Sequence, residues 1–415
     1  MTRTDRPHGS RRRAQVTFAL LLVTTALVAL PSASARPAVR DVGGKLGLRR
    51  EVGLGYSIEP DTVNGDRWPD LMFGRHGGAA ELFLNHHLHG RSVGYVYAFK
   101  FVDTIHHHPD RHGCAWGDVN RDGRDDLYCT KGARGGSQKK WNELWIQQPD
   151  GTFVDEAHEY RVEDVWGRGR RAAFLDLNHD AYPDLFIGNA EHRRDGRRTP
   201  DRTLINGNGA AFVPVRLGLT HEVGVRCVQV LDVNHDGWDD LLVCGQNDVK
   251  LYIRRPWGRF VDRGDRFHVP STGAVWARIE DVDGDGHGDL LVERGNRFTI
   301  QLRTGARRFG PVVYSQDLRR GAGFAVGNID GRHGKDVLIV QGCAEHHNVP
   351  DTLLLNRGDG TWARQRIPRH VAGCGRAAAT IDFDRDGKAD FVVENAGGGQ
   401  NMGPDQVLTM GNWTP

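Results

Sequence analysis

One acidic pattern, D-x-N/D-x-D-G-x-x-D followed by an apolar run, returns along this chain, and its return restricts the fold more than any other feature. It reads DVNRDGRDDL from Asp118, DLNHDAYPDL from Asp176 (alanine for glycine), DVNHDGWDDL from Asp232, DVDGDGHGDL from Asp281 and DFDRDGKADF from Asp382. Two looser copies, TVNGDRWPDL from Thr62 and NIDGRHGKDV from Asn328, complete the series. The last aspartates fall at 70, 126, 184, 240, 289, 336 and 390, so successive copies lie 47 to 58 residues apart. Seven copies at such a period mark a repeat architecture, in which each repeat buries its apolar faces against the next.

The inner order of a repeat is constant. Before the turn comes a short run of small and branched residues, such as RAAFLDL or RCVQVLDV, and after it another, such as DLFIGNA or DFVVENA. A third run, often LxLN or LWI, and a glycine-rich turn such as QQPDGTFVDEA or NRGDGTWARQ follow in several repeats. No stretch shows a sustained helical period, and 54 glycines fit many tight turns. Four strands per repeat match a propeller blade. The expected fold is therefore all-β: a seven-bladed β-propeller with four antiparallel strands per blade, spanning residues 36–415. Only 25 residues follow Asp390, enough for two more strands, whereas LGLRREVGLGYSIEPDTVNGDRWPD from Leu46 parallels LGLTHEVGVRCVQVLDVNHDGWDD from Leu217. The segment near Ala38–Leu48 thus takes the slot of an outermost strand, and is expected to close the last blade and remove the open edge.

Short Asp and Asn side chains at alternating positions of a tight turn can converge on a hard cation, and Ca²⁺ takes six to eight oxygen ligands. The expected sets are Asp118, Asn120, Asp122 and Asp126 with the carbonyl of Arg124; Asp176, Asn178, Asp180 and Asp184 with Tyr182; and Asp232, Asn234, Asp236 and Asp240 with Trp238. Asp281, Asp283, Asp285 and Asp289 with His287, and Asp382, Asp384, Asp386 and Asp390 with Lys388, complete five structural calcium ions. The first copy has only two carboxylates, Asp66 and Asp70, and should bind poorly; the sixth places Arg332 where a ligand should be and should bind none. An Asp/Asn-rich turn with no metal is the simpler alternative for one copy, since these residues favour turns anyway, but five full copies argue against it. An EF-hand is excluded, because position twelve carries Cys129, Ile187, Val243, Val292 or Val393 instead of glutamate.

These repeats resemble the FG-GAP/VCBS repeats of integrin α heads and of many secreted bacterial proteins, with Phe73-Gly74 as a trace of the FG element and NELWIQQPDGTFVDEA similar to the segment after the calcium loop. A clear Gly-Ala-Pro element is missing. The resemblance spans roughly residues 38–415 and implies a calcium-bearing propeller without implying one activity.

The N-terminus, RRRAQVTFALLLVTTALVALPSASARP, has a basic start, fifteen largely apolar residues (16–30) and a small-residue site at Ala33–Ala35, as a secretory signal peptide over 1–35 does. Retention as an anchor is the alternative, although the apolar run is short for a membrane span. Removing it takes away five arginines and one aspartate and moves the formal charge from +2 to −2, which gives no general case for nucleic acid. A secreted or envelope-associated monomer is expected. Six cysteines in an exported chain read as disulfides. Cys114 with Cys129, and Cys227 with Cys244, would sit opposite each other across a hairpin, leaving Cys343 with Cys374; other pairings stay open.

Strand order places the acidic turns on one face of the ring. The other face collects His106–His108, Arg111, His112, Arg134, Lys139, Lys140, Arg168, Arg170, Arg171, His192–Arg194, Arg197, Arg198, His346 and His347. From this the first reading is a binding or adhesion module whose basic face takes an anionic extracellular glycan or an acidic protein surface, with His107, Arg111, His112, Arg168, Arg170 and Arg171 as contacts. The alternative is a polysaccharide-active enzyme, lyase or hydrolase, with His107 or His112 as base beside Arg111. HHHPDRH could also hold zinc or copper. Neither a nucleophile elbow nor HExxH nor paired glutamates support catalysis.

Overall fold

The computed structural model describes residues 38–48, 54–76, 78–102, 110–132, 141–190, 192, 196–219, 224–245, 248–270, 274–305, 308–319, 321–342, 349–365, 367, 375–395, 405–411 and 413. The proposed leader (1–35), His106–His108, Arg134, Lys139, Lys140, Arg193, Arg194, His346, His347, Cys343 and Cys374 lie outside them.

Seven four-stranded antiparallel sheets follow one another along the chain. Their first strands are Leu54–Asp61, Arg111–Gly117, Gly169–Leu175, Cys227–Leu231, Ala274–Glu280, Gly321–Gly327 and Gly375–Ile381. Each first strand packs beside the next, and the seventh beside the first, so these strands form a closed inner ring. Every second strand begins at the last aspartate of an acidic turn, as in Asp126–Lys131, Asp240–Cys244 and Asp390–Asn395. Such strands are flanked by neighbouring blades on both sides and are buried along their length, which is why they read as unbroken apolar runs. Seven apolar clusters fill the wedges, one between each pair of adjacent blades; Val233, Leu242, Ile279, Leu290 and Phe309, for instance, join blades four and five. The one helix among the described residues is the short turn Gly264–Phe267.

The ring closes as the sequence leads one to expect. Arg40–Asp41 pairs antiparallel with Gln406–Thr409, Arg40 opposite Thr409, and supplies the fourth, outermost strand of blade seven. Both hairpin disulfides are present: Cys114–Cys129 in blade two and Cys227–Cys244 in blade four, with Cα atoms 4.1 and 5.0 Å apart. Each links directly opposed residues of the first two strands.

Candidate functional site

The acidic turns are wound by their own side chains. In blade two the Asp118 carboxylate accepts the amides of Asp122 (2.9 Å) and Gly123 (2.8 Å), and Asn120 also accepts that of Asp122. The Asp122 carboxylate accepts the amide of Arg124 (3.0 Å). Asp232 and Asp236 in blade four, Asp281 and Asp285 in blade five, and Asp382 and Asp386 in blade seven repeat this winding. In blade three Asn178 and Asp180 bond each other, and Asp180 accepts the amide of Tyr182. The winding needs two left-handed residues per turn. Glycine supplies the second at Gly123, Gly237, Gly286 and Gly387 (φ 82–86°), whereas blade three holds Ala181 there at 66°.

The last aspartate does something the sequence reading did not assign. Asp126 is fully buried, and its two oxygens accept the amides of Val119 in its own turn (3.1 Å) and Gln147 at the end of the third strand (2.9 Å). Asp184, Asp240, Asp289 and Asp336 bind two amides in the same way, and Asp390 accepts the Phe383 amide of its own turn and the Thr409 hydroxyl at the end of the third strand. Even the degenerate first copy keeps Asp70, which takes the amide of Asn85. Burial pushes these carboxyls up, to about 6 for Asp184 and Asp289, about 7 for Asp126 and Asp240 and about 8 for Asp390, against the pull of the amides.

A second repeated device joins one blade to the next. A side chain at the end of the third strand reaches back to a carbonyl in the preceding blade's turn: Asn206 to Val119 (2.8 Å), Arg254 to Leu177 (3.0 Å), Arg303 to Val233 (2.9 Å) and Asn356 to Val282 (2.6 Å). Gln147 reaches Val63 (3.2 Å), and Asn85 reaches Phe383 (2.8 Å) across the closure of the ring. The signal was visible as the asparagine of LxLN, which sequence reasoning used only to mark a strand. Blade seven has Met410 at this position and no such donor.

Whether the turns suit calcium depends on convergence. Carboxylate oxygens of Asp281, Asp283 and Asp285 lie within 4.8 Å of one another, as do those of Asp382, Asp384 and Asp390. The carboxyls of Asp283, Asp382 and Asp384 are raised, first by burial and then by mutual repulsion, which a divalent cation would relieve. These two turns fit the ion best. In the first copy Asp66 is engaged by Asn64 and lies 3.6 Å from His87, and in the sixth Asn328 and Asp330 hold the backbone of Arg332.

On the opposite face the expected contacts separate. Arg111 is 1 % exposed and forms a two-pronged ion pair with Glu143 (2.5 and 2.8 Å), which also holds buried Lys131 (2.6 Å). This corrects the expectation of a surface role: Arg111 locks three strand ends of blade two. His112 sits 3.2 Å from Asp110, and Gly132 leaves room for the His112 ring beside the Arg170 guanidinium. Arg168 donates to the His192 carbonyl (2.7 Å), and His192 bridges to Arg198. Beside them Trp166 is 51 % exposed with the Arg197 guanidinium 5.4 Å from its ring centre. Trp166 was missed because a lone tryptophan in a loop carries no periodic signal. Arg171 points elsewhere, across the central channel, donating to the carbonyls of His112 (2.6 Å) and Arg226 (2.9 Å). His107 lies outside the described residues. No described helix is long and apolar enough to cross a membrane.

Known proteins agree with this architecture. The profile of FG-GAP-like repeats matches residues 118–187 and 232–292, spans that hold four of the five full acidic turns. Cartilage acidic protein 1 of Xenopus tropicalis is 26% identical over 205 residues, 46% of this chain but 30% of the relative's length. Among solved structures, an Agrocybe aegerita lectin described by its recognition of non-reducing terminal N-acetylglucosamine superposes with a TM-score of 0.51 at 14% identity, covering 89% of this chain and 93% of the lectin. The β-propeller domain of Cps50 (Swd1) from Myceliophthora thermophila gives 0.50 at 12% identity, with 87% and 98% covered. At such identities the structural likeness speaks for the fold alone. With two spans matched and all seven sheets built on one plan, this chain is a seven-bladed propeller carrying FG-GAP-like repeats.

Proposed function

We propose that the protein is an extracellular binding module, braced by calcium on one face, that takes an acidic glycan on the other. The observation that carries this reading is Trp166, an indole half open to solvent with the Arg197 guanidinium over its ring, Arg168 two residues along the chain and Arg198 next to Arg197. An exposed ring offers a flat surface for the apolar side of a sugar, and the guanidiniums offer paired donors to carboxylate or sulfate groups. Two disulfides fit an oxidising compartment. Calcium in this reading is held by the Asp/Asn sets of the five full turns, where it supplies charge neutralisation and holds the turns shut. A glycan array probed with calcium present tests the idea. Polyuronates and sulfated glycans should bind and neutral glycans should not, and Trp166→Ala should weaken binding by about tenfold or more. Equal binding of neutral and acidic glycans, or no effect of Trp166→Ala, overturns it. Among the described residues a lyase or hydrolase reading has only His112 in its favour, and that ring already faces Asp110.

A further inference from the structure

The inner ring encloses a cavity of about 220 Å³ to which all seven first strands contribute. Register sets its shape. Counted back from the end of each first strand, one height carries Ser57, Gly113, Cys227, Gly323 and Ala377, all small, together with Arg171 and Trp276. The small residues leave space, and the two large ones share a side, the guanidinium of Arg171 lying 5.1 Å from the indole centre of Trp276. Arg171 is fixed there. Its Nε and Nη1 are spent on the Arg226 and His112 carbonyls, and Gly113 leaves the room a side chain would take from it. Its Nη2 makes no hydrogen bond to a described residue. Two residues along the first strand of blade one stands Glu59, whose carboxylate accepts from Ser57 and the Cys114 amide.

Glu59 and Arg171 attract each other but do not come within ion-pair distance. Burial works against both charges, raising the Glu59 carboxyl to about 7 in spite of the arginine and lowering Arg171. Two opposite charges in one channel, each fixed by other bonds and neither completed by the other, leave a gap with a negative and a positive end. We propose that this channel binds a small zwitterion of the α-amino-acid class, its ammonium on Glu59 and its carboxylate on Nη2 of Arg171. The walls of Ala172, Val228 and Ala377 limit the guest to a short side chain.

Calorimetric titration of the full chain with L-serine, with propionate and propylamine as single-ended probes, tests this. L-serine should bind, and each single-ended probe should bind about tenfold more weakly or not at all. The near-isosteric Glu59→Gln and the unbranched Arg171→Met should each weaken L-serine by about tenfold or more, and Ala377→Trp should fill the cavity and abolish binding. Melting curves check that the variants fold, and Glu59→Gln, the mildest, decides the matter if the others do not. No heat from L-serine at about 10 mM, affinity equal to that of propionate or propylamine, or full affinity in folded Glu59→Gln overturns the proposal.

Discussion

The two faces of this ring are made on different principles. On the acidic face seven turns repeat one circuit, in which side chains wind the turn, a buried aspartate ties it to the third strand, and a polar side chain ties each blade but the last to its predecessor. On the other face only a backbone tie repeats, the amide at the end of the second strand donating to the side chain just before the third (Lys131 to Asn142, Asn189 to Asp201, Gln341 to Asp351, Asn395 to Asp405), while the charged groups follow no repeat. Arg111, Lys131 and Glu143 form a buried cluster in blade two alone, and Trp166 with its arginines belongs to blade three and its entry. Repetition marks what every blade needs in order to stand, and departure from it marks what one place on the molecule does.

The largest effect expected from this contrast is ionic. Chelating calcium should lower the melting temperature through the acidic face, by about 1 kcal/mol of stability for each turn occupied at millimolar calcium. An unchanged melting curve would show that the turns stand without metal. Next comes the buried tie. Asp240→Ala strands the amides of Val233 and Arg254 and should cost about 3 kcal/mol by urea unfolding, with or without calcium; a loss confined to calcium-containing buffer would make Asp240 a ligand before a tie.

A titration probes the other face. Glu293, buried at the end of a second strand and accepting the Gly323 amide, keeps its proton up to about pH 7, whereas the unfolded chain loses it near the ordinary glutamate value of 4.5. Its contribution is therefore full below that value and is lost as the pH climbs through 7. Glu293→Gln, which retains the acceptor, should match the wild type near pH 4 and exceed it by about 2 kcal/mol near pH 8 in urea titrations. The smallest expected change returns to the turns. Ala181→Gly relieves a left-handed alanine and should stabilise by about 1 kcal/mol in the same assay, bringing the third turn into line with its neighbours.

Blade number, strand order and the closing strand were legible because a period and a terminal surplus are one-dimensional facts. The acidic turns were legible as turns. That Asp126 and its counterparts are buried ties was not, since D-x-x-D spacing cannot tell a ligand from an acceptor of backbone amides. Arg111 was misplaced for a related reason: a basic residue in a histidine-rich loop reads as surface until Glu143 and Lys131 are seen beside it. The pairing of Arg171 with Trp276 needed register, because the two belong to blades three and five and meet only around the axis.

The strand at Arg40–Asp41 carries a consequence for how the molecule is made. Its partners at Leu408 and Thr409 lie beyond the other six blades in the chain, so the clasp that finishes the circle must wait until those blades have been made. Until then blade seven shows an unpaired rim to any neighbour. With Met410 offering no tether to blade six, that seam is where a newly made ring is last to shut and where a strained one should first gape.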